Sequence, residues 1–185
     1  MTPMVFDNVL EQSLFERMCV YAKRVKFDRI KLSDTDFVLY HMTPDIYRLP
    51  VMDFLEKRLG RKLLCNVCFF RLNDEETDGP PQLRIHTDSA EFGSCDLASV
   101  FYLEEKEGYG TALFEHEVYG KRGDKSKQVF KTLDGWTAYQ FIQSKSNRLA
   151  VYEADMFHSR WPNTAYGHGK ETGRIVCVNF MRYGK

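Results

Sequence analysis

The sequence predicts a mainly β protein of the α+β class, an antiparallel jelly roll with N-terminal helices packed on one face. Three observations carry that expectation. Two segments within residues 1–62 bear helical start signals, the second a stop signal as well. From Leu63 onward, short apolar runs alternate with glycine-bearing or charged connectors. No repeat, linker or low-complexity tract interrupts the 185 residues, a length suited to one domain, with 1–62 as helical support and 63–183 as the jelly-roll core.

The elements follow in order. Ser13-x-x-Glu16 has the form of a capping box, and Leu14, Met18, Tyr21, Ala22 and Val25 recur on one helical face behind it. Residues 37–40 suit a strand. Pro50 at a first helical position, Met52, Leu55 and Leu59 at spacings of three and four, and Gly60 just past the end predict a short second helix. Residues 63–70 are too apolar and too short a run for anything but a buried element, and strand is favoured. The acidic stretch 73–81, with Gly79-Pro80-Pro81, reads as an exposed loop that delivers the chain to a strand at 83–86. Further strands are expected at 97–103, 111–119, 149–153 and 174–183, with more extended structure within 129–143.

Composition narrows the partners. Lys plus Arg equals Asp plus Glu at 26 each, which gives no basic footprint for nucleic acid. The basic residues Lys121, Arg122, Lys125, Lys127 and Lys131 read as a solvated loop face. Five scattered cysteines and an N-terminus without a basic, then apolar, leader suggest a reduced, cytoplasmic protein, and no run approaches the ~20 apolar residues that span a bilayer. Cys65-x-x-Cys68 lacks a second close pair of Cys or His ligands, so two small buried residues are expected there rather than a zinc site.

The chemistry concentrates at His86-Thr87-Asp88. Side chains two apart on an extended segment share a face, so the imidazole and the carboxylate can hold one ion. With His158 they make two histidines and one carboxylate on one side of a metal, the set expected of a non-haem Fe(II) oxygenase. His116, between Glu115 and Glu117, and His168, in a Gly-flanked loop, suit hydrogen-bonded or solvated histidines, and His41 has no evident place. Trp136, Trp161 and Asn163 are candidates to line the pocket, although large aromatic residues are more often core.

Taken in order, His86-Thr87-Asp88-Ser89, Tyr102-Leu103, Gly110-Thr111-Ala112-Leu113-Phe114, Asn147-Arg148-Leu149, His158-Ser159 and Gly173-Arg174 resemble the Fe(II)- and 2-oxoglutarate-dependent oxygenases, closest to their small prolyl-hydroxylase-like, phage or bacterial branch. The resemblance covers about residues 63–183 and implies a double-stranded β-helix, Fe(II), 2-oxoglutarate and O2 as cofactor and cosubstrates, and ascorbate as a possible reductant. By the same resemblance His86, Asp88 and His158 are the iron ligands, Arg174 pairs with the far carboxylate of 2-oxoglutarate, and Tyr102 and Thr111 belong to the cosubstrate site. The activity implied is hydroxylation of a carbon, on a prolyl or other amino-acid side chain in a peptide first and on a free amino acid or small metabolite second. A non-catalytic jelly-roll binding or assembly module and a cupin-like metalloprotein are the alternatives. Two departures stand out. The interval from His158 to Arg174 is long, which implies an inserted loop at 161–172 closing over the site and makes Arg160 a rival anchor. Tyr109-Gly110 replaces a glycine pair, which sets a ring near the pocket or in the core.

Overall fold

A computed structural model of the chain describes residues 2–31, 37–74, 84–90, 94–124, 129–163 and 167–184. Two antiparallel sheets face one another. The larger runs β1 (Met4–Phe6), β10 (Arg148–Glu153), β6 (Leu97–Tyr102), β12 (Arg174–Tyr183), β4 (Leu63–Asn73), β3 (Phe37–Met42), β2 (Asp28–Lys31). The smaller runs β8 (Val129–Phe130), β5 (Ile85–His86), β11 (His158–Trp161), β7 (Gly110–His116), β9 (Trp136–Gln143). This is the jelly roll expected, a double-stranded β-helix with helices on one face.

The central strand β12 explains the three layers. Its run is apolar throughout because both faces are covered. Ile175, Cys177 and Met181 pack with Met18, Ala22 and Leu55 of the helices α1 (Gln12–Arg24) and α2 (Asp45–Leu59). Val176, Val178 and Phe180 instead face the second sheet, with Leu113 and Ile142. A third cluster, Ile85, Ala112, Phe114, Trp136 and Phe157, closes the outer side of that sheet.

Several boundaries differ from the sequence expectation. Helix α1 is capped not by Ser13 but by Glu11, whose carboxylate accepts from the Ser13 backbone N–H and hydroxyl. Helix α2 begins at Asp45, five residues before Pro50, which lies inside it. The missing N–H costs the bond to the carbonyl of Ile46, a residue of the first helical turn that is 63% exposed. The N-terminal part is also less helical than expected, since β1, β2 and β3 belong to it. Strand β7 ends at His116, where residues 117–119 turn. Strand β5 is only two residues long, and of the loop and strand expected at 73–86 residues 75–83 lie outside the described ones. Of the expected insertion at 161–172, residues 164–166 lie outside them too. Its end forms a short helix, α3 (Gly169–Thr172), whose Lys170 Nζ donates to the Val25 carbonyl at 3.0 Å. Among the described residues no helix is long and apolar enough to cross a membrane.

Candidate metal centre

His86 and His158 are far apart in sequence, but β5 and β11 pair them directly across the smaller sheet. Their ring centroids stand 4.3 Å apart. Asp88 follows just beyond the end of β5, fixed by its backbone N–H donating to the Ala154 carbonyl at 2.7 Å. One carboxylate oxygen of Asp88 is 3.5 Å from His86 Nε2 and the other 3.1 Å from His158 Nε2. The three donor atoms lie within 4.8 Å of one another, the one such His, Cys or acidic group among the described residues.

Tautomers follow from the ring partners. His86 Nδ1 faces the Arg84 carbonyl at 2.9 Å and His158 Nδ1 the Met156 carbonyl at 3.0 Å. A carbonyl can only accept, so each Nδ1 carries a proton; the lone pair of His86 is then on Nε2, while His158 Nε2 faces the Asp88 carboxylate across a shared proton. Burial, and then the neighbouring His158, push His86 down to about 3, against the pull of Asp88. Asp88 is held low despite its burial, chiefly by the charge and hydrogen bond of His158. His158 is raised, the cost of burial being outweighed by Asp88. A neutral imidazole, a carboxylate and a second imidazole whose proton a cation could displace are a donor set that fits a divalent metal ion. Tyr152, fully buried, packs its ring 4.6 Å from that of His158.

The cavity beside this trio lies between the sheets, and Thr111, Arg160 and Arg174 line it along with the three donors. Arg174 is 5% exposed, its guanidinium 5.7 Å from the Tyr102 ring centre and donating to Asn73 Oδ1 at 3.4 Å and the Gly110 carbonyl at 3.5 Å. The Tyr102 hydroxyl donates to Thr111 Oγ1 at 2.7 Å, which leaves the Thr111 proton for an acceptor in the cavity. Arg160 pairs across the ladder with Thr111, so both arginines singled out in the sequence reach the same space. A third, Arg71, also lines it and had given no sequence signal.

The other candidates lie elsewhere. Trp136, Trp161 and Asn163 are absent from the lining, and the two tryptophans join the outer cluster. Tyr109 is absent as well, its ring lying 3.9 Å from the Lys106 ammonium. His116 accepts from the Val118 and Tyr119 backbone and packs against Trp136, and His168 is exposed. His41 has a structural place, its Nδ1 donating to the Lys26 carbonyl and its Nε2 accepting from the Tyr21 hydroxyl. Cys68 is buried with its sulfur 3.5 Å from that of Cys177, and all five cysteines are free thiols. In the basic loop Arg122 pairs with Glu153 and Asp155 on the surface, while residues 125–128 lie outside the described ones.

No protein-family model and no curated protein matches the sequence. The fold does match. The epimerase SnoN, solved with Fe3+, alpha ketoglutarate and nogalamycin RO, superposes with a TM-score of 0.62 at 12% identity, over 97% of this chain and 78% of its own. The chain has the fold of the iron and 2-oxoglutarate oxygenases. A prolyl hydroxylase from Trichoplax adhaerens, solved with a hypoxia inducible factor peptide fragment, gives a TM-score of 0.60 at 12% identity, over 97% and 83% of the two chains. A Pseudomonas putida prolyl-4-hydroxylase gives 0.52 at 16% identity, over 99% and 87%.

Proposed function

We propose that this protein is an Fe(II)- and 2-oxoglutarate-dependent dioxygenase that hydroxylates a carbon of an amino-acid side chain, in a peptide or as a free small molecule. The observation that carries the proposal is the convergence of His86, Asp88 and His158 on one point, with a buried arginine in the same cavity. Bound there, iron would supply the activation of O2, which takes 2-oxoglutarate to succinate and CO2 and leaves one oxygen atom for the substrate C–H bond. Asp88 and the Nε2 atoms of His86 and His158 would hold the metal. Arg174 binds the far carboxylate of 2-oxoglutarate, its charge permanent and its fork matched to two oxygens. Thr111 donates to the same carboxylate, and Tyr102 orients Thr111 by its hydroxyl and Arg174 by its ring. The apolar walls contributed by Val100, Val176 and Val178 exclude water from the reacting centre.

The free thiols support a reduced, cytoplasmic setting, in which ascorbate or another reductant would keep the iron ferrous. The test is anaerobic reconstitution with Fe(II) and 2-oxoglutarate, followed by O2. Succinate forms in proportion to metal, and Asp88→Ala forms none. A protein that binds Fe(II) but never consumes 2-oxoglutarate would overturn the proposal.

A further inference from the structure

Among the described residues, three with hydroxyl groups line the cavity: Ser99, Thr111 and Tyr152. Two of the three hydroxyls are engaged. Ser99 Oγ accepts from Asn179 Nδ2 at 3.0 Å, and Thr111 Oγ1 accepts from the Tyr102 hydroxyl at 2.7 Å. Tyr152 is only 2% exposed, yet its hydroxyl meets no hydrogen-bond partner among the described residues. Nor is that oxygen sealed into the packing, for it opens on the cavity. A phenol taken out of bulk water and left without a partner is costly, so this hydroxyl is one that a ligand can satisfy.

Strand pairing places it. On the face turned toward the second sheet, Tyr152 of β10 stands opposite Ala98 of β6, and Ala98 opposite Phe180 of β12. Tyr102 comes four residues further along β6, about 13 Å away, opposite Val176, and Arg174 lies two residues before Val176 on the same face. The Arg174, Tyr102 and Thr111 group therefore occupies one end of this face and Tyr152 the other. The Tyr152 ring lies 4.6 Å from that of His158, so its hydroxyl belongs to the metal end of the cavity. Ala98, Val100 and Val178 line the space beside it with short aliphatic groups.

We infer that Tyr152 is a specificity-determining residue whose hydroxyl donates to an oxygen atom of the substrate, a carbonyl or hydroxyl set on an otherwise apolar group. The inference rests on the dioxygenase reading and narrows its substrate class. In an apolar pocket one well-placed polar group fixes the orientation of what binds, and here it turns the bound group toward the metal ligands. The cosubstrate, anchored at the opposite end, has no need of this hydroxyl.

The test uses the intact protein loaded with Mn(II) and saturated with 2-oxoglutarate, without O2. Cyclopentanone, cyclopentanol and cyclopentane are added in turn, and paramagnetic relaxation of their protons reports approach to the metal. At least one oxygenated ring is relaxed well above cyclopentane, and the stronger effect decides between carbonyl and hydroxyl. Tyr152→Phe, which removes one oxygen atom, lowers that relaxation about three- to tenfold, as a single lost hydrogen bond requires. In the same variant cyclopentane and the affinity for 2-oxoglutarate stay at their wild-type values. Ala98→Val narrows this end of the cavity and lowers the relaxation of all three rings. An unchanged effect in Tyr152→Phe, an equal fall for cyclopentane there, or no oxygenated ring bound by the wild type overturns the inference. Weaker 2-oxoglutarate binding in Tyr152→Phe overturns it as well, by giving the hydroxyl to the cosubstrate, and so does indifference of the rings to Ala98→Val, by placing them elsewhere. Failure of the wild type to bind Mn(II) and 2-oxoglutarate at all rejects the dioxygenase reading and the inference with it.

Discussion

Asp88 is the residue on which the trio turns, since it is the one carboxylate both imidazoles face. Asp88→Ala leaves two neutral donors and should abolish retention of stoichiometric Fe(II) after gel filtration, while circular dichroism stays that of the wild type. Undiminished metal affinity would remove Asp88 from the site. For the cosubstrate, Arg174→Leu should weaken 2-oxoglutarate binding by roughly a hundredfold or more, because losing one partner of a buried ion pair costs on the order of 3–5 kcal/mol. Arg160→Leu should do much less, as Arg160 is half-buried where Arg174 is held among Tyr102, Asn73 and Gly110. Calorimetric titration of both variants compares them, and a normal affinity in Arg174→Leu would discard the assignment. The two histidines and the aspartate were legible in the sequence by type and order. Arg71 was not, because a charged residue within a strand ordinarily reads as facing water, whereas here its face of β4 lines the cavity.

At the scale of elements, two joints hold the site's walls. Asn147 adopts φ 60° in the turn before β10, where its Oδ1 accepts from Leu10 N–H at 2.9 Å and its Nδ2 donates to the Leu10 carbonyl at 2.8 Å. This buried side chain stitches the N-terminal segment to the sheet. Asn147→Ala strands both Leu10 groups and should destabilise the fold by about 3 kcal/mol, read by urea denaturation. Gly110 is the second joint. A Cβ there would meet the Ile142 carbonyl oxygen at 2.0 Å, and the Gly110 carbonyl is itself an acceptor of Arg174. Gly110→Ala should therefore lower stability by about 2 kcal/mol or more and weaken 2-oxoglutarate binding together with it. A surface joint lies between β1 and β10, where Asp7 takes a forked ion pair from Arg148 at 2.6 and 2.9 Å. The hydrogen bond from Arg148 holds the Asp7 carboxyl below its usual 3.8. Its stabilisation is present above that range and is lost as pH falls through the lower folded value. The gap in unfolding free energy between wild type and Asp7→Asn, read by urea denaturation, should accordingly be modest near neutral pH, about 0.5 kcal/mol for so exposed a pair, and close on acidification. Helix α1, the later half of helix α2 and the long strands were legible from their apolar pattern, whereas the first turn of α2 was hidden by Pro50. The three-residue β1 and four-residue β2 were not, being too short to display one.

For the molecule as a whole, the larger sheet separates two tasks: helices cover one side and the cavity opens on the other. Ligands that bind only the folded form should raise its stability, by about 2.7 kcal/mol at a hundredfold excess over Kd and so by about 5–10 °C in Tm. Differential scanning fluorimetry with Fe(II) and 2-oxoglutarate under argon should record that rise in wild type and not in Asp88→Ala. The pattern along the chain made the helices, the strands and the jelly-roll class legible, because each apolar run reports the burial of its own element, but not the assignment of strands to the two sheets. The register that places His158 opposite His86 is a property of the pairing alone and had no local signal. Each of these rings, moreover, is aimed by a carbonyl only two positions behind it, that of Arg84 for His86 and of Met156 for His158. Every amino acid offers a backbone carbonyl, so the identities of residues 84 and 156 are free to drift without turning either histidine away. Substitution at these two positions can thus proceed without disturbing the aim of either ring.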